Sequence, residues 1–79
     1  MASLSTLERH LAEAEGRVAE GIRHLQRQRE IASELERDGH DTTQSKTLCA
    51  TFEASLAMLL AYRDRLREEL KSAQRFAQK

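Results

Sequence analysis

With 79 residues the chain is one small domain at most, and its 13 basic and 13 acidic side chains give a formal net charge of zero. Ala, Glu, Lys, Leu and Arg account for 45 of the 79 residues, and Pro and Trp are absent, which is the bias of long helices and coiled coils. A single cysteine, Cys49, excludes an intrachain disulfide framework, and zero net charge with periodic apolar residues argues against disorder.

The N-terminal stretch from Met1 to Arg9 has neither the basic nor the apolar region of a secretory leader. The longest apolar run, Leu56 to Tyr62, is far short of the roughly 20 residues that span a bilayer. The expectation is a protein of a bacterial-type cytoplasm with no membrane span.

Helix 1 is expected from about residue 5 to 38. Ser5-Thr6-Leu7-Glu8 reads as a capping box, the serine taking a free backbone N–H while Glu8 reaches back. Leu4, Leu11, Val18, Leu25 and Ala32 recur every seven residues, and Leu7, Ala14, Gly21, Gln28 and Leu35 follow each by three. That is the two-track seam of a coiled coil, widened by Ile22 and Ile31. Gly16 and Gly21 each cost about 1 kcal/mol in a helix interior, so close approach of another helix is expected at both.

The only convincing break between helical patterns is Arg37-Asp38-Gly39-His40-Asp41-Thr42-Thr43. Gly39 suits the position after a helix C-cap, where φ is positive. Asp41 suits the N-cap of a second helix, with Gln44 completing another capping box. A turn is therefore expected at 39–41, with Asp38, Gly39, His40 and Asp41 chiefly structural. His40, exposed between two aspartates at the tip, is the one of these that also reads as a partner contact.

Helix 2 is expected from about residue 42 to 77. Phe52, Leu59, Leu66 and Ala73 share one heptad position; Leu48, Ser55, Tyr62, Glu69 and Phe76 lie three residues from them. Cys49, Leu56 and Leu70 occupy the neighbouring track. Folding about residue 40 pairs Ile22 with Leu59, Val18 with Tyr62, Ala14 with Leu66, Leu11 with Leu70 and Leu4 with Phe76. The whole chain, 1–79, thus reads as an all-α, antiparallel two-helix coiled-coil hairpin. Leu56, Leu60, Leu70 and Phe76 cannot all face helix 1, and a hairpin this small lacks a proper core. A homodimer forming a four-helix bundle is the simplest remedy.

The chain carries no nucleophilic triad, glycine-rich phosphate loop or zinc spacing, so no enzyme and no cofactor is expected. His10 and His24 share a face but stand about 21 Å apart along a helix, too far to share a metal, and the Glu-x-x-His pairs of di-iron bundles are missing. Arg23, Arg27 and Arg29 in helix 1, with Arg63, Arg65 and Arg67 in helix 2, are candidate phosphate contacts. Interleaved acids, among them Glu20, Glu30, Asp64, Glu68 and Glu69, favour a solvated face instead. Arg65–Glu69 reads as an i,i+4 pair, and Glu13 falls opposite Arg67.

The stretch His24-Leu25-Gln26-Arg27-Gln28-Arg29-Glu30-Ile31, followed by Leu35-Glu36-Arg37-Asp38-Gly39-His40-Asp41-Thr42, resembles a group of short helical-hairpin proteins of alphaproteobacteria. So does the run from Leu48 to Leu66, with Phe52-Glu53 and Asp64-Arg65, so that the resemblance covers about two thirds of the chain. It implies a bacterial hairpin and no particular activity. By architecture alone the chain also looks like the small RNA-binding dimers built from two hairpins. Three readings emerge: a self-associating scaffold, adaptor or regulatory module; a nucleic-acid-binding dimer using Arg23, Arg27 and Arg29; and an accessory subunit docking on a larger protein complex.

Overall fold

The computed structural model describes residues 3–77, which form two α-helices, α1 (Leu4–Arg37) and α2 (Thr43–Ala77), of 34 and 35 residues. No strand occurs among the described residues. α2 returns along α1, giving a rod of 63 × 14 × 14 Å.

α1 begins earlier than the sequence suggests. Ser3, not Ser5, is the N-cap: its Oγ accepts from the Thr6 N–H at 3.2 Å, and its carbonyl accepts the first helical bond from the Leu7 N–H at 2.9 Å. Capping at Ser3 draws Leu4 into the first turn, where it is half-buried, an apolar gain that a start at Ser5 would forgo. The expected Ser5–Glu8 box is not formed.

α1 ends as its sequence predicts. Gly39 has φ +76° and is the only described residue at positive φ. The His40 N–H donates to the Leu35 carbonyl at 2.9 Å and the Gly39 N–H to the Glu36 carbonyl at 3.2 Å. This 6→1 and 5→2 pairing is a Schellman motif, which satisfies carbonyls that the helix end would otherwise leave free. The start of α2 differs by one position. Its first helical bond runs from the Lys46 N–H to the Thr42 carbonyl, so Thr42 is the backbone cap. Asp41 acts from one residue farther back, its Oδ1 accepting from the Thr43 N–H at 2.9 Å and the Thr43 hydroxyl at 2.7 Å. Gln44 makes no reciprocal bond.

The seam on α1 is the one its heptads describe. Leu7, Ala14, Val18 and Leu25 are buried, and Leu4, Leu11, Gly21, Gln28, Ala32 and Leu35 are half-buried. On α2 the first track, Phe52, Leu59, Leu66 and Ala73, also faces α1, with Leu66 buried. Its companion track is Cys49, Leu56, Arg63 and Leu70; the expected track of Leu48, Ser55, Tyr62, Glu69 and Phe76 is exposed. Two of the expected pairing residues sit at the edge of the seam: Tyr62 is 39% and Ile22 42% exposed. The register itself holds: Leu66 packs with Leu7 and Ala14, and Leu11, Leu70 and Ala73 close around them.

The two helical glycines behave differently. A Cβ on Gly21 would stand 3.1 Å from Leu56 Cδ1 and 3.8 Å from Leu59 Cδ1, so α2 does approach closely there. A Cβ on Gly16 would meet nothing within 4 Å, and close approach is not its reason. Gly39→Ala should destabilise the fold by about 1–2 kcal/mol, the cost of a side chain in the left-handed region. Gly16→Ala should stabilise it by about 0.5–1 kcal/mol, the helix-propensity gain without a clash. Gly21→Ala should gain less than Gly16→Ala, because the Leu56 methyl must give way. Urea unfolding of the three variants checks the order; an equal gain at positions 16 and 21 would contradict the close packing.

Candidate functional site

Asp38, Gly39, His40 and Asp41 form the far tip of the rod. Three of the four have visible structural tasks: Asp38 caps α1, Gly39 turns the chain and Asp41 holds Thr43. The His40 backbone closes the Schellman bond, but its exposed imidazole makes no hydrogen bond with any described residue. The two bonds from Thr43, first that of its hydroxyl and then that of its N–H, hold the Asp41 carboxyl below its ordinary value of 3.8.

The arginines named from sequence do not form one free cluster. Arg29 Nη2 donates to Glu53 Oε1 across the hairpin at 2.9 Å, and Arg27 Nη1 to Glu30 Oε2 along α1 at 3.4 Å. Arg23 is exposed and meets no acid among the described residues. On α2, Arg63 grips Asp64 at 2.9 Å, and Arg67 reaches Glu15 at 3.2 Å rather than the expected Glu13. Arg65 and Glu69, expected to pair, form no ion pair. Arg29–Glu53 and Glu15–Arg67 lie on the same edge of the hairpin, each with residue numbers summing to 82. They clasp the helices in one register, though at their exposure each is worth only about 0.2–1 kcal/mol.

Hollows flank the seam among the described residues. One, of about 250 Å³, is lined by Arg17, Glu20, Gly21, His24, Phe52 and Leu56 among others. Its His24 ring stands edge-on to Phe52, centroids 6.1 Å apart, so the histidine covers apolar surface. Glu20 and His24 offer at most two ligands, and no group of three His, Cys, Asp or Glu suited to a metal occurs among the described residues. Another hollow, of about 650 Å³, lies at the end of the rod away from the turn, between Leu4 and Leu7 of α1 and Ala73, Phe76 and Ala77 of α2. Neither hollow presents a nucleophile beside a base. Cys49 is half-buried and has no disulfide partner.

The most distinctive surface is apolar. Met58 is 75% exposed, Phe76 71%, Leu48 42% and Tyr62 39%. Leu48, Thr51, Ser55, Met58 and Tyr62 follow one another at spacings of three and four, a second stripe on α2 beside the one that faces α1. Met58 was not singled out from sequence. Its signal was the 3-4-3-4 spacing from Leu48 to Tyr62, hidden because Leu48 and Tyr62 also fit a seam toward α1.

Replacing Asp41 by Ala should lower the melting temperature, since Thr43 loses both bonds, whereas His40→Ala should leave it unchanged. A folded carboxyl held below its unfolded value stabilises at higher pH. The Asp41 contribution should therefore be lost as pH falls below 3.8, and the Asp41→Ala chain should lack that part of the acid transition. Thermal melts of the three chains across this range provide the check, and equal loss from His40→Ala would assign the imidazole a packing role. Comparison with protein-family models, with curated proteins and with solved structures returned no match.

Proposed function

We propose that the chain is a non-enzymatic, self-associating helical hairpin that serves as a scaffold, adaptor or small regulatory protein-interaction module. In this reading the hairpin is an antiparallel coiled coil, its first partner is a second copy, and two hairpins build a four-helix bundle in the cytoplasm. One observation carries the reading: among the described residues only Leu7, Ala14, Val18, Leu25 and Leu66 are buried, while Met58 and Phe76 stand in solvent and Leu48 and Tyr62 are partly exposed. Full burial of an exposed large apolar side chain contributes about 1.5–3 kcal/mol; Met58 and Phe76 approach that case, and Leu48 and Tyr62, already more than half covered, add less. No helix among the described residues is long and apolar enough to cross a membrane.

The nucleic-acid reading needs Arg23, Arg27 and Arg29 free for phosphates. Arg27 and Arg29 engage Glu30 and Glu53, so it is the weaker proposal. Docking on a larger complex draws support from the terminal hollow at Phe76, which an apolar side chain of another protein would fill. Light scattering at micromolar concentration should give twice the monomer mass, and the thermal midpoint should rise with concentration. A stable monomer with a concentration-independent melt would remove self-association.

A further inference from the structure

α1 carries a charged residue at least every fourth position from Glu8 to Arg37. α2 does not: between Lys46 and Arg63, Glu53 is the sole charged residue, and it is held by Arg29 on one edge of the hairpin. The outward surface of residues 47–62 is thus Thr, Ala, Ser, Leu, Met and Tyr, a stretch roughly 24 Å long. A solvent-facing helix face ordinarily carries charged residues, so an uncharged one that also bears Leu48, Met58 and Tyr62 is suited to being covered.

We infer that this face of α2, centred on Ser55, packs against the same face of α2 in a second copy, the two helices antiparallel about a two-fold axis. The inference rests on the self-association proposed above and names its surface. Charge favours this occupant. A phosphate backbone or an anionic surface would seek basic residues, and this span has none. Two copies of a chain with zero net charge do not repel, and each offers the other a central stretch, residues 47–62, whose sole charge, Glu53, is held on one edge by Arg29. The pattern is also self-matching. With Ser55 on the axis, Leu48 of one copy meets Tyr62 of the other, so the uncharged span covers itself; Arg65 falls at the rim opposite Ser45, and Glu69 lies beyond the overlap. Ala54, Ser55 and Ala57 near the axis let the backbones approach. In this register residues 43–67 overlap, about 37 Å of helix. Across the 14 Å width of the rod that is roughly 1,000 Å² over both copies, near the lower bound for a specific interface.

The test uses the full chain with Cys49→Ser and a single new cysteine. Ser55→Cys, oxidised with diamide, should form a covalent dimer nearly quantitatively, because only residues at the axis approach their own copies within disulfide reach. Gln26→Cys, on the outer surface of α1, should not. Met58→Glu in the otherwise unaltered chain should weaken dimerisation at least tenfold in sedimentation equilibrium, with helix content by circular dichroism unchanged. A dimer that survives Met58→Glu and does not cross-link through Ser55→Cys would overturn this interface while leaving self-association intact. A monomeric parent chain would overturn both.

Discussion

The 2.9 Å bond from the His40 N–H to the Leu35 carbonyl, made possible by the positive φ of Gly39, sets where the chain reverses. Every contact between the helices follows from that point. Ala14 can share a cluster with Leu66, and Gly21 can lie under Leu56 and Leu59, only if the turn neither gains nor loses a residue. The Asp41 carboxylate then fixes where helical pairing resumes, through the Thr43 N–H. Glu15–Arg67 and Arg29–Glu53 agree with that register but are too exposed to impose it.

α1 was legible because its apolar residues occupy one stripe and charges occupy the rest, so periodicity leaves one solution. The turn was legible because glycine after a C-cap has a specific backbone reason. α2 was only half legible. Leu48, Tyr62 and Phe76 lie on one side of the Phe52–Ala73 track, while Cys49, Leu56 and Leu70 lie on the other, and both fit a heptad. What decides between them is the partner helix: the chosen track places Leu56 against Gly21, where a missing side chain leaves room. The loser includes Glu69, and the winner includes the half-buried Arg63, which keeps its guanidinium on Asp64. Caps shifted by one or two residues for a simpler reason: Ser3 and Ser5, two positions apart, and Asp41 and Thr42, side by side, are candidates of similar chemistry.

The candidate surfaces were legible to different degrees. The sequence located the arginines but could not show that Arg27 and Arg29 would spend their charge on Glu30 and Glu53, since the second of those pairs joins residues 24 positions apart. The excess of apolar surface on α2 followed from counting. Its place on the outer side, with Met58 at its most exposed point, required knowing which track α1 had taken.

The proportions of the rod have a consequence of their own. Leu4 and Phe76 line one hollow, so the first turn of α1 lies beside the last turn of α2, and the interhelix turn sits at the opposite pole. A body held at that hollow is thereby kept some 60 Å from whatever meets His40, by a strut two helices thick. Such a strut resists bending far better than either helix alone, because flexing it must slide Leu7, Ala14 and Leu66 past one another. Separation along the axis is thus built in mechanically, whichever surface along its length does the binding.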